Sequence, residues 1–233
     1  MLWDLDYTLV NANGLGTRLY EVVFREMFGR ELPAVAPKAG RTDRAIITDT
    51  LTLAGMPADR EQIDRFLAAL ADLAAAPNGD HRSVRADVHA LDGAAAAVAA
   101  LASPDLAGPG IRQSVLTGNI RPLAVLKLGL AGLGDHLDLD VGAYGDVHEV
   151  RAELVAVARS AAARAYGGSF GGPATVLVGD TPLDVEAALA TGARAVGVAT
   201  GSYTGAELAA AGAQVVLPDL TDTGRVRAAV TGG

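Results

Sequence analysis

In the first third of the chain, apolar side chains recur every three or four positions. Leu19, Val22, Val23 and Met27 share one helical face through Phe28, and Ile46, Ile47, Leu51 and Leu53 share another that ends at Gly55. Ile63, Phe66, Leu67, Leu70 and Leu73 predict a third helix that ends before Pro77. Thr42 or Asp43 is placed to cap the second helix, and Asp59 the third. The stretch Gly29 to Gly40, with Pro33 and Pro37, reads as a loop, as does the polar run Asn78 to Arg85. Residues 14–84 therefore predict three or four helices and no strand.

The period then changes. β-rich apolar runs at 111–117, 174–179, 194–199 and 214–217 predict strands, with a shorter one at 137–143. Helical patterns at 92–102, 121–130, 149–166, 182–191, 204–212 and a closing segment to Val230 alternate with them; the first of these stops at Ser103-Pro104. Strands alternating with helices imply right-handed crossovers and a parallel sheet. Residues 1–5 read as the first strand, so this α/β core is split by the helical insert. The crossings near 11–15 and 83–91 would act as hinges. Only three residues precede Asp4, whereas strands commonly run ~5–6 residues, so this strand is short or the protein begins upstream of Met1.

Three predicted strands end in polar clusters. The first gives Asp4 and Asp6, with Thr8 two residues on; side chains two apart in an extended segment share a face. The second gives Thr117-Gly118-Asn119, and the third Gly179-Asp180 with Asp184 four residues later. In an open parallel sheet the carboxyl ends of the strands form the ligand crevice, so the clusters should converge. Paired carboxylates there can attack, transfer a proton or hold a hard divalent cation.

Composition narrows the chemistry. The chain has 233 residues, enough for a large domain, or for a core domain plus a smaller one. Half are hydrophobic but only 4% are aromatic, so the core must be built mainly from Ala, Leu and Val. Nineteen basic and 27 acidic residues give a net charge of −8 with no basic block, which argues against nucleic acid as a partner. The absence of cysteine removes disulfides, thiol catalysis and thiolate metal sites. No long apolar stretch or signal-like segment appears, so the expectation is a soluble, cytoplasmic protein with no membrane partner.

With these motifs the chain resembles the haloacid dehalogenase (HAD) superfamily, and within it the phosphoglycolate phosphatase-like enzymes, over essentially its whole length. Asp4-Leu5-Asp6-Tyr7-Thr8 is similar to motif I, Thr117-Gly118-Asn119 to motif II and Gly179-Asp180-Thr181-Pro182-Leu183-Asp184 to motif IV. Arg151 best fills motif III, where the family more often has Lys. The resemblance implies a Rossmann-like parallel-sheet core at 1–13 and 85–233, with an all-helical cap domain at 14–84 inserted after the first strand. It also implies a Mg2+-dependent phosphatase acting on a small phosphorylated metabolite.

In that scheme Asp4 is the nucleophile and Asp6 the acid and base. Asp4, the backbone carbonyl of Asp6 and Asp180 bind the metal. Thr117, Gly118, Asn119 and Arg151 hold the phosphoryl group, while Thr8 and Asp184 stand behind them. In the cap, Arg41 and Thr42 would select the substrate; equally, Thr42 is a helix cap and Arg41 a solvated cation. Tyr7 replaces the usual Gly and either packs or narrows the pocket. Arg159 and Arg164 read as surface charges, and His81, His89, His136 and His148 have no ligand spacing.

Other readings compete. A sugar phosphomutase is disfavoured by Thr8, where that branch of the family tends to carry Val. A dehalogenase is disfavoured by the presence of Asp6. Phosphonate hydrolysis would need a cap lysine, and Lys38, beside Pro37, is the only one in that segment. A non-enzymatic HAD-like binding protein would be expected to lack a motif acid, and none is lost.

Overall fold

The computed structural model describes residues 1–76, 87–102 and 110–232. Its strands are β1 Leu2–Trp3, β2 Val10–Asn11, β3 His89–Ala90, β4 Ser114–Val115, β5 Val176–Gly179, β6 Arg194–Val198 and β7 Val215–Leu217. Five form a parallel sheet in the order β4-β1-β5-β6-β7. Leu2 lies between Ser114 and Leu177, and Trp3 between Val115 and Val178. The C-terminal ends of β1, β4 and β5 are therefore side by side, and the three polar clusters leave the sheet at one edge.

The helices of the described residues are α1 Leu15–Phe28, α2 Asp43–Leu53, α3 Arg60–Ala75, α4 Ala94–Ala102, α5 Arg121–Ala131, α6 Arg151–Tyr166, α7 Pro182–Ala190, α8 Gly205–Ala210 and α9 Thr223–Thr231. Strand periodicity sends Leu2 and Trp3 to opposite faces of the sheet, each into a separate apolar cluster. Leu2 packs with Leu116, Leu154, Leu177 and Leu208. Trp3 joins a larger cluster that continues through α1, α2 and α3.

Among the described residues between β2 and β3, the helices α1, α2 and α3 follow the apolar pattern. α1 buries Leu15, Leu19, Tyr20, Val23 and Phe24, and α3 buries Ile63, Phe66, Leu67, Leu70 and Ala74. Their faces meet, with the Tyr20 and Phe66 rings 5.4 Å apart, and α3 also packs on α5. Thr42 caps α2 by accepting from Ala45 N, and Asp59 caps α3 by accepting from Gln62 N.

Several boundaries differ from expectation. The connections read as hinges pair with each other: Val10 opposes Ala90 and Asn11 opposes His89 in an antiparallel ladder too short to leave a periodic signal. Residues 137–143 do not form a strand, although Leu137, Val141 and Ala143 are buried. Asp138 folds back to accept from Asp140 N, and only Ala143 bridges to Leu116. The run 149–166 becomes helical only at Arg151. The loop Asn78 to Arg85, His81, Ser103-Pro104 and the boundary expected at 84/85 lie outside the described residues. Among the described residues no helix is long and apolar enough to cross a membrane.

Candidate active site

Asp4 follows β1 directly, and its N–H continues the ladder to Val178 O at 2.8 Å. Its carboxylate meets Arg151, the first residue of α6. Arg151 Nη2 lies 2.5 Å from Asp4 Oδ1 and 2.6 Å from Asp184 Oδ1, and all three side chains are buried. The contact to Asp184 lacks hydrogen-bond geometry, so it is an ion pair that leaves Asp184 Oδ1 and Arg151 Nε without hydrogen-bond partners. Arg151 also donates to Leu116 O and to Gly40 O. Burial opposes its charge, but Asp184 and Asp4 outweigh burial and raise its pKa.

Asp180 completes an acidic cluster. Asp4, Asp180 and Asp184 each offer an oxygen, and these oxygens lie within 4.8 Å of one another. Burial, then Asp4 and Asp184, push Asp180 up to about 9. Burial, with Asp184 and Asp6, pushes Asp4 up to about 7 against the opposing pull of Arg151. Thr8 donates to Asp180 Oδ1 at 3.4 Å from a fully buried position. Gly201 allows the backbone to approach on the other side, since a Cβ there would stand 1.8 Å from Asp180 Oδ2. Three crowded, buried carboxylates suit a hard divalent cation, which takes oxygen ligands and would neutralise them. Asp184 also closes a capping box with Thr181 at the start of α7, while its Oδ1 meets Arg151.

Asp6 is not part of that cluster and has partners of its own. Lys127 Nζ lies 2.7 Å from both of its oxygens and 2.7 Å from Asn119 Oδ1. Asn119 Nδ2 donates to Asp6 Oδ2 at 2.7 Å and to Thr117 Oγ1 at 2.8 Å. Burial raises the Asp6 pKa, but Lys127 and Asn119 outweigh burial and lower it. Lys127 escaped the motif reading because it sits outside every motif. Its signal was a lone cation on the buried stripe of α5, beside Leu123, Ala124 and Leu128.

The start of α2 is stitched to the motif around Thr117. Asp43 N donates to Gly118 O at 2.7 Å, and Arg44 N donates to Gly145 O at 3.1 Å. Gly118 has no room for a side chain, because a Cβ would stand 1.9 Å from Arg41 O. The buried Asp43 carboxylate accepts from Tyr20 OH at 2.7 Å and from Ile120 N at 2.8 Å, and its pKa is raised by burial. A cavity of about 160 Å³ remains between these segments, lined by Asp4, Asp6, Lys38, Thr117, Arg151 and Asp180 among others. Lys38 is half-buried, donates to Thr17 Oγ1, and has its pKa lowered by burial and then by Lys127.

The model of the haloacid dehalogenase-like hydrolase family matches residues 1–189. The chain belongs to this family. HAD-fold structures align over nearly the whole length. A hydrolase from Pseudomonas syringae has a TM-score of 0.65 at 20% identity, covering 96% of this chain and 95% of that one. A predicted phosphatase from Clostridium acetobutylicum has a TM-score of 0.65 at 18% identity, covering 100% and 97%. A HAD family hydrolase from Deinococcus radiodurans, with bound phosphate and sodium, has a TM-score of 0.54 at 24% identity, covering 99% and 94%. Among curated proteins none matches significantly.

Some residues of this HAD hydrolase stand elsewhere than expected. Tyr7 does not pack: it is 47% exposed, borders the cavity and adopts φ 59, a left-handed conformation uncommon for a bulky residue. Its backbone is fixed by bonds from its N–H to Val10 O and from Thr200 Oγ1 to its carbonyl. The Arg41 guanidinium turns to Asp49 at 2.7 Å and to the carbonyls of Pro37 and Ala45. Thr42 is the α2 cap and donates to Glu149 O, so both side chains have partners within the protein. Asn119 N donates to Thr117 Oγ1 at 3.2 Å. Arg159 is not a free surface charge, because it ties Thr175, Thr191 and Gly172 together. Arg164, His89, His136 and His148 are exposed.

Proposed function

We propose that this protein is a magnesium-dependent phosphatase that hydrolyses a small phosphorylated metabolite through an aspartyl phosphate on Asp4. The observation that carries the reading is the separate handling of two neighbouring acids. Asp4 is held by Arg151 beside the oxygen cluster, whereas Asp6 is held apart by Lys127 and Asn119. The two acids differ in surroundings: burial raises the pKa of Asp4, a pull that a bound divalent cation would oppose, whereas Lys127 and Asn119 keep Asp6 ionised, as a base for water requires. The likeness to a predicted phosphatase and to a phosphate-bound hydrolase supports the same reading.

Asp4 attacks phosphorus as the bond to the leaving oxygen breaks, and Asp6, ionised beside Lys127, relays to that oxygen a proton brought by the substrate. A phosphate monoester entering as its monoanion carries such a proton. Water then attacks the phosphoaspartate, Asp6 takes the water's proton, and Asp4 is released as a carboxylate. Arg151 pairs with the phosphoryl oxygens and with Asp4, and Thr117 and Gly118 border the same space. Asp4, Asp180 and the carbonyl of Asp6 would hold Mg2+, with Asp184 and Thr8 behind them; the cation supplies charge that lets a carboxylate approach a phosphate.

Residues 14–84 act as a cap over the core at 1–13 and 85–233, excluding water from the reaction. The small cavity suits a small metabolite, and the expected setting is the cytoplasm. The test is hydrolysis of p-nitrophenyl phosphate and a panel of phosphorylated metabolites with and without Mg2+. Metal-dependent phosphate release, lost in Asp4→Asn, is expected; release unaffected by Asp4→Asn would overturn the reading.

A further inference from the structure

Lys127 has no part in the chemistry above, yet it is 3% exposed and reaches the site from the middle of α5. Burying an ammonium is costly unless it is fully paired. Here all three of its protons have acceptors: Asp6 Oδ1, Asp6 Oδ2 and Asn119 Oδ1, each at 2.7 Å. Neutralising one carboxylate needs a single contact. Grasping both oxygens also sets the plane of the carboxyl group, and Asn119 Nδ2 adds a third bond at Oδ2. The other buried cation of the site, Arg151, is committed to Asp4 and Asp184. The two motif acids, only two residues apart, are thus fixed by different cations on different helices.

We propose that Lys127 is a positioning residue that holds the Asp6 carboxyl group towards the leaving oxygen and the attacking water, and keeps it out of the Asp4–Asp180–Asp184 cluster. The inference rests on the reading of Asp6 as acid and base. In the first step the bond from an Asp4 oxygen to phosphorus forms, the ester P–O bond breaks, and Asp6 passes to the leaving oxygen the proton that the ester brought as its monoanion. In the second the water–phosphorus bond forms, the Asp4–phosphorus bond breaks, and Asp6 regains a proton. Lys127 exchanges no atom in either step.

The test compares the unmodified protein with Lys127→Met and Lys127→Arg on p-nitrophenyl phosphate and on an alkyl phosphate, with inhibition by inorganic phosphate and thermal melting in parallel. Acid–base catalysis contributes roughly 100- to 10,000-fold, mostly for poor leaving groups. Lys127→Met should therefore lower kcat on the alkyl ester at least about tenfold more than on p-nitrophenyl phosphate, which needs little protonation. KM and phosphate inhibition should stay within about twofold, since a purely positional loss acts on kcat. Lys127→Arg keeps the charge but not the geometry, so it should show the same leaving-group-dependent loss even if Lys127→Met fails to fold. Equal losses on both esters, or full activity of Lys127→Arg, would overturn the inference while leaving the phosphatase reading intact. An unmodified protein inactive on every ester would overturn that reading, and this inference with it.

Discussion

Arg151 and Asp4 are 147 residues apart in the chain and 2.5 Å apart in the fold. The pairing ties the start of α6 to the end of β1, and Asp184 binds the same nitrogen at 2.6 Å. Arg151→Ala would leave two buried carboxylates without their cation. Breaking a buried pair in this way costs about 3–5 kcal/mol. Urea unfolding of metal-free protein should show a loss of that size, and added Mg2+ should recover part of it. A loss below about 1 kcal/mol would match an exposed pair and contradict the burial argument.

The acidic cluster makes metal binding depend on pH. Asp180 is pushed up to about 9 and Asp4 to about 7, from an ordinary value of 3.8. Between 3.8 and these values the folded state holds more protons than the unfolded one, so these two acids make the metal-free protein less stable as pH rises through that window. A divalent cation must displace those protons, so its affinity should rise with pH up to about 9. Calorimetric Mg2+ titrations near neutral pH, in buffers of different ionisation enthalpy, should report proton release. Binding without proton release would contradict the assignment.

Asp43 links the helical segment to the start of α5 through Tyr20 OH and Ile120 N. Asp43→Ala would orphan two buried donors at about 1–3 kcal/mol each, for a total of about 2–6 kcal/mol. Adding Tyr20→Phe removes one of those donors, so the double variant should be more stable than Asp43→Ala alone. Strict additivity in a double-mutant cycle would show that Asp43 and Tyr20 do not act together.

Arg41 offers the reverse case. Its ion pair with Asp49 is partly exposed, with side-chain exposures of 26% and 54%. Such pairs contribute about 0–1 kcal/mol. Arg41→Ala should therefore change melting and kcat/KM only slightly on every ester. A selective loss on one metabolite would restore Arg41 as a substrate contact.

Much of this site was legible in the sequence because strand-end motifs are local. Asp4, Thr117 and Asp180 each end a strand, and the parallel order places those ends together. Arg151 was legible as a cation opening a helix. Lys127 was not, because its partner Asp6 lies 121 residues away and its own surroundings read as an ordinary apolar helix. The sequence left Tyr7 open between packing and narrowing the pocket, because its left-handed backbone comes with tertiary bonds such as that from Thr200, which no local pattern encodes. The β2–β3 ladder was hidden by its two-residue length. The helices α1, α2 and α3 were clear from their period, whereas the approach of Arg41 and Thr42 to Gly118 depends on backbone contacts that side-chain patterns do not encode.

The proposed reaction places the phosphoryl group on Asp4. Its most direct test is to mix the protein with Mg2+ and p-nitrophenyl phosphate, quench with acid during the first turnover, and map the peptides by mass spectrometry. One acid-stable, hydroxylamine-sensitive phosphoryl group is expected on Asp4, absent from a folded Asp4→Asn variant. Turnover with no phosphoryl group on Asp4 at any quench time, or with the group on another residue, would contradict it.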